Sequence, residues 1–261
     1  MSSNIAHYRL SFILRIQIFA GFQKVFVCRL IKLRFRDILF QEVSMMIKRK
    51  EYLSQLRIWK NHRVIKVITG VRRCGKSTLL ELFRNELQAD GVSTKQLISV
   101  NFEDLQFEAL KDYHALYGYL CERLIPDQMN YIFLDEVQLV PEFQKAVDSL
   151  FLKENVDIYL TGSNAYMLSG ELATLLSGRY VDISMLPLSF AEYYEIVGGD
   201  KRTAFTQYYQ NGGFPYTASL SDDKATQDYL QGIYSTVLLK DIVGRKRVAD
   251  VPLLELSLIH I

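Results

Sequence analysis

The stretch Val64-Ile65-Lys66-Val67-Ile68-Thr69-Gly70-Val71-Arg72-Arg73-Cys74-Gly75-Lys76-Ser77-Thr78 decides the fold. Its first six residues form a β-branched run of strand composition. Gly70 and Gly75 then bracket a short loop, and the residues from Ser77 to about Asp90 carry apolar side chains at helical spacing. Gly70 to Ser77 fits G-x-x-x-x-G-K-[ST], a loop whose glycines let the N–H groups of Val71, Arg72, Arg73, Cys74 and Gly75 turn toward phosphate oxygens. Lys76 is expected to reach the β and γ phosphates of ATP, Ser77 to place its hydroxyl on Mg²⁺, and Thr78 to add a contact to the α phosphate. The positive end of the following helix faces the same charge. Cys74 lies inside the loop as either a packing residue or a switchable thiol.

Working outward, strands and helices alternate. Gln96 to Phe102 reads as a strand, Leu110 to Ile125 as a helix, and Tyr131 to Leu134 as a strand. Phe143 to Glu154 has helical spacing, Val156 to Leu160 is a strand, Ala165 to Leu176 a helix and Val181 to Met185 a fifth strand. This order implies a mostly parallel five-stranded sheet covered by helices on both faces, an α/β P-loop fold. Beyond Pro187, Tyr-rich helical segments at Ser189 to Val197, Arg202 to Gln210 and Asp222 to Leu239 read as a small helical lid.

Four apolar residues, Tyr131 to Leu134, lead into Asp135-Glu136, placing two carboxylates at the carboxyl end of a buried strand, where open α/β sheets bind ligands. Asp135 is expected to hold the Mg²⁺ shell and Glu136 to orient or deprotonate the attacking water. Thr161-Gly162-Ser163-Asn164 ends the fourth strand. Asn164 first and Ser163 second are candidates for sensing the γ phosphate, and a helix N-cap is the alternative. Arg179, just before the fifth strand, could reach the γ phosphate of a neighbouring subunit or make a local ion pair.

Composition is that of an ordinary globular chain of 261 residues, with 49% hydrophobic and 23% charged residues. A net charge of +2 is too small to imply nucleic-acid binding. Cys28, Cys74 and Cys121 are widely spaced and odd in number, and the four histidines are scattered. A disulfide framework and a structural zinc are therefore not expected, and a reducing cytoplasm fits. Residues 1–45 differ from the rest: basic residues from Arg9 to Arg36 interrupt an aromatic, apolar stretch. Every apolar run there falls short of the roughly 20 residues that span a bilayer. A start of translation at Met45 or Met46, opening an amphipathic helix, makes those residues an upstream extension; a membrane-surface segment is the alternative. At the other end, Leu256-Ser257-Leu258-Ile259-His260-Ile261 is what CTGTCTCTTATACACATC encodes, a string matching a transposase adapter of sequencing libraries. That match predicts a truncated chain, with an ordinary apolar C-terminal strand as the alternative.

Taken together, Ile68 to Ser77, Phe133-Leu134-Asp135-Glu136, Leu160 to Asn164, Gly178-Arg179, Leu186 to Phe190 and Gly212-Gly213-Phe214-Pro215 resemble the AAA+ ATPases. The closer likeness is to bacterial and archaeal predicted ATPases with a C-terminal domain of unknown function, over about Met46 to Val248. The resemblance implies an ATP-binding core over 46–187 and a lid over 188–238, with Gly213 and Pro215 near the adenine. It also implies that 239–255 begins a further domain. Arg245-Lys246-Arg247 could meet nucleic acid or form a solvated helix end.

Three classes of function fit these residues. The first is an ATP hydrolase that drives conformational change in a protein partner or a C-terminal domain, with homo-oligomerisation open. The second is a slowly hydrolysing nucleotide switch or scaffold. The third, a small-molecule kinase, lacks a segment supplying both an acceptor site and a basic closing lid. Adjacent Asp135-Glu136 favours water as the acceptor.

Overall fold

Five short apolar runs pair side by side in the computed structural model, which describes residues 47–163, 176, 178–220 and 222–237. They are β1 (Ile65–Gly70), β2 (Leu97–Asn101), β3 (Asn130–Asp135), β4 (Val156–Ser163) and β5 (Tyr180–Met185). They form one sheet in the order β2-β3-β4-β1-β5, with every pair parallel. β1, β3 and β4 occupy the middle, and every residue of β1 and β3 is buried. A parallel strand covered on both faces is an uninterrupted apolar run for this reason. At the edge, β5 alternates buried Ile183 and Met185 with exposed Asp182 and Ser184.

Strand side chains alternate between two faces, and the core divides accordingly. One layer joins Ile65, Val67, Val100, Ile132, Leu134, Ile158 and Leu160 to Leu116 and Leu120 of α3 (Tyr113–Cys121) and to Val147 and Leu150 of α4 (Phe143–Phe151). The other joins Ile68, Phe133, Tyr159 and Met185 to Leu53 and Leu56 of α1 (Lys50–Trp59) and to Leu79, Phe83 and Leu87 of α2 (Lys76–Ala89). Phe133 stacks on Tyr159 at 5.0 Å, and Phe83 tilts against the same ring at 5.3 Å.

Beyond Pro187 come α5 (Phe190–Val197), α6 (Lys201–Asn211) and α7 (Asp223–Thr236). Each opens on a capping residue: Ser189 with Glu192 in a reciprocal box, then Asp200 and Asp222. Gly198 and Gly212, at positive φ, close the first two. Phe190, Tyr193 and Tyr208 pack together within these helices, with ring centroids 5.3 to 5.6 Å apart.

The helix expected from Leu110 begins three residues later. A 3₁₀ turn occupies Leu105–Lys111, and the Asp112 side chain then accepts from the Ala115 N–H and starts α3 afresh. An aspartate that can cap a helix competes with its own incorporation into one. The expected helix over Phe143 to Glu154 stops at Phe151. The expected helix over Ala165 to Leu176 lies outside the described residues apart from Leu176. The extension over 1–45 and the segments 239–255 and 256–261 lie outside them entirely. No helix among the described residues is long and apolar enough to cross a membrane.

Candidate nucleotide site

Because all five strands run the same way, their carboxyl ends share one edge of the sheet, and the conspicuous polar residues gather there. Gly70 ends β1 so close to β5 that a Cβ on it would lie 2.4 Å from the Met185 carbonyl oxygen and 2.9 Å from Cys74 Sγ. No side chain fits in that space. Arg73 and Gly75 take positive φ, 65° and 104°, which turns the loop back under the first turn of α2. The amino end of this helix is thereby presented at the loop, an arrangement suited to an anion. Cys74 is fully buried beneath the loop, and burial pushes its thiol up, against Lys76 and Arg49. It packs as core here, the packing alternative of the two weighed for it.

Lys76 is buried, with Nζ 3.2 Å from the carbonyl oxygens of both Gly70 and Val71 and 3.6 Å from Glu136 Oε1. Asp135 closes β3 and is buried. Its Oδ1 accepts from the Thr161 hydroxyl, its Oδ2 accepts from Asn101 Nδ2 at 3.1 Å, and the Ser77 hydroxyl also bonds it. Burial pushes the Asp135 carboxyl up, while the Thr161 and Ser77 hydroxyls pull it down; Glu136 adds to the rise and Lys76 opposes it. Glu136 follows at φ 55°, turning its side chain back toward Lys76. Its backbone N–H donates to Thr161 Oγ1 at 2.9 Å, and its Oε2 accepts from Gln138 Nε2.

Lys76, Ser77, Asp135 and Glu136 thus meet at one place, three elements apart in sequence. Val71, Arg72, Arg73, Gly75 and Thr78 lie in the same loop and first helical turn. The turn at Gly213 also comes to this edge. Its carbonyl accepts from the Leu188 N–H at 2.6 Å, and buried Pro215 lies 4.0 Å from where a Gly75 Cβ would be. Arg73 meanwhile lies over the Tyr229 ring of α7 at 5.8 Å.

Arg179 does not join the cluster within its own chain. Arg179 sits before β5 at the opposite, amino end of the sheet, where its carbonyl accepts from Ile65. At about 3.3 Å per strand residue it is roughly 15–20 Å from the phosphate loop of its own chain. Within its own chain it makes a local ion pair, with Nη1 3.9 Å from Asp148. Asn164 lies outside the described residues. Ser163, the second choice, is buried with its hydroxyl unbonded and pairs in register with Gly70.

Sequence reading missed Asn101, Thr161, Gln138 and Arg49. Asn101 and Thr161 become neighbours of Asp135 only once the strand order is known, since β2 and β4 flank β3. Gln138 stands two residues from Glu136, a signal that was visible but unremarkable. Arg49, inside the basic run Lys48-Arg49-Lys50, is buried, a position its neighbours gave no hint of. Its Nη2 donates to the Leu186 carbonyl at 2.5 Å, its Nε lies 3.4 Å from Glu192, and its guanidinium covers the Tyr52 ring at 4.7 Å.

A residue set fit for an anion and a divalent cation, on a parallel sheet whose first strand runs through a glycine loop into a helix, defines the P-loop nucleotide-binding class. Within that class the chain belongs to the AAA domain family, whose model matches residues 62–194, just over half of its length. It is 40% identical to an uncharacterized protein of Haemophilus influenzae, over 80% of this chain and 54% of that one. It is 26% identical to an uncharacterized protein of Methanocaldococcus jannaschii, over 84% of this chain and 51% of that one. The chain therefore spans about half the length of the curated relatives it matches. Its fold is also similar to the Walker-type ATPase of Pyrococcus abyssi, at a TM-score of 0.51 and 16% identity, over 77% of this chain and 76% of that one.

Proposed function

We propose that this chain binds ATP with Mg²⁺ on the Gly70–Ser77 loop and hydrolyses it, using Glu136 to activate water. The observation that carries this reading is the convergence of Lys76, Asp135 and Glu136, all buried, at the carboxyl ends of β1 and β3, the two strands that flank β4 in the middle of the sheet. Charged groups are costly to bury unless they meet partners, and these three face a loop shaped for an anion. The residues fit the metal: a buried carboxylate and a hydroxyl already bonded to each other, Asp135 and Ser77, are hard oxygen donors of the kind Mg²⁺ takes. Mg²⁺ supplies positive charge to the β and γ phosphate oxygens when bound.

Lys76 orients the β and γ phosphates, and the amino end of α2 stabilises charge on them. Glu136 holds the attacking water and takes its proton as the new bond to phosphorus forms and the bond to the bridging oxygen of ADP breaks. Residues 46–187 form the ATP-binding core, and 188–238 act as a lid that moves with the phosphates. The contacts of Pro215 near Gly75 and of Arg73 with Tyr229 support that coupling. A partner protein, or the further domain that the family resemblance implies, receives the motion. A reducing cytoplasm is the compartment this reading favours, with Cys74 and Cys121 as free thiols.

Asp135→Asn is the substitution that tests the metal role. ATP turnover in the variant should require roughly tenfold to a hundredfold more Mg²⁺ for half-saturation, as for other losses at a metal site. An Asp135→Asn protein with the Mg²⁺ dependence of the unsubstituted chain would remove Asp135 from the metal shell.

A further inference from the structure

We propose that Gln138 is a positioning residue for Glu136, holding its carboxylate in place for water activation while Lys76 serves the phosphates. The inference rests on the reading of Glu136 as the base and adds a residue to it. A 3₁₀ turn over Val137–Leu139, closed by the Leu139 N–H on the Glu136 carbonyl at 3.1 Å, curls the chain so that Gln138 returns to the carboxylate two residues before it. Its Nε2 donates to Glu136 Oε2. The amide cannot be reversed, because its oxygen would then face a carboxylate oxygen.

What separates this amide from a structural one is the fate of its other end. Asn130, fully buried at the start of β3, is satisfied throughout: Oδ1 accepts from the Ile125 N–H at 2.9 Å, and Nδ2 donates to the carbonyls of Ile125, Gln128 and Asn155. Gln138 Oε1 is buried and has no hydrogen-bond partner among the described residues. Leaving a buried acceptor unsatisfied disfavours the fold, so an apolar side chain of the same length would serve the fold at least as well. The bond the amide makes goes to the carboxylate that matters for the reaction. Among the described residues the other group near that carboxylate is Lys76 at 3.6 Å, and Lys76 is the group a seated phosphate draws away. Gln138 then remains to fix the carboxylate.

The test combines Gln138→Met, which keeps length and removes the donor, with Glu136→Gln in the full chain. Steady-state ATP turnover, binding of a fluorescent ATP analogue with Mg²⁺, and thermal melting are measured for each variant and for the pair. Gln138→Met should lower kcat roughly tenfold to a hundredfold, the scale of a misplaced catalytic group, with analogue affinity unchanged and the melting temperature no lower. In the Glu136→Gln background it should lower the residual rate no further, because it acts through Glu136. Gln138→Asn, a donor one carbon short, should fall between. Unchanged kcat in Gln138→Met, with turnover lost in Glu136→Gln, overturns the positioning role and leaves the base in place. Effects that multiply in the double variant also overturn it. Full turnover in Glu136→Gln, or none in the unsubstituted chain, overturns the base reading and this inference together.

Discussion

Thr161 ties the Asp135 carboxylate to the Glu136 backbone with one hydroxyl: it donates to Asp135 Oδ1 and accepts the Glu136 backbone N–H. Thr161→Val keeps the shape and loses both bonds. The Mg²⁺ requirement of turnover is expected to rise roughly tenfold to a hundredfold. Stability should fall by about 1–3 kcal/mol through the buried N–H left unpaired. Thr161→Ser should restore most of each, and a valine variant with native metal dependence would show that the hydroxyl does not serve the site. At this scale the sequence was legible wherever a role depends on local spacing. The Gly70–Ser77 loop and Asp135-Glu136 each read directly, because strand, turn and carboxylate are contiguous. Thr161 and Asn101 were illegible because their roles depend on which strands lie side by side. Arg179 shows the converse: its position before β5 was readable, but not that this places it at the far end of the sheet from its own phosphate loop.

Secondary elements are fixed at their amino ends by a second buried polar group. Lys66 of β1 donates to the His62 carbonyl at 2.8 Å and pairs with Asp157 of β4, while Asp157 also accepts from the Asn61 N–H and the Tyr159 hydroxyl. Burial pushes the Lys66 ammonium down, against the opposing pull of Asp157. Breaking such a pair by removing one partner is costly because the other charge stays buried. Asp157→Asn is therefore expected to destabilise the chain by about 3–5 kcal/mol in chemical denaturation. A loss within about 0.5 kcal/mol, the range of an ordinary surface substitution, would mean that Lys66 finds another partner. Strand and helix order was visible in the alternation of apolar runs. The 3₁₀ turn before α3 was not, since Asp112 could belong to a helix or cap one, and only its bond to Ala115 decides.

Across the whole molecule, the segment before α1 meets the approach to α5 through one buried guanidinium. Arg49 reaches Leu186, Glu192 and Tyr52 at once, joining the approach to the sheet with the first helix after Pro187. Arg49→Ala should loosen α5 while leaving the sheet intact. Hydrogen exchange is expected to quicken over Phe190–Val197 with little change in β1 and β3, whereas uniform protection throughout would deny the guanidinium that role. The most direct test of the central claim compares Mg²⁺-dependent ATP binding and phosphate release in the unsubstituted chain, Lys76→Ala and Glu136→Gln. The account expects binding and release in the first, weakened binding without release in the second, and tight binding with release reduced at least a hundredfold in the third. Release by Glu136→Gln at the native rate would contradict it.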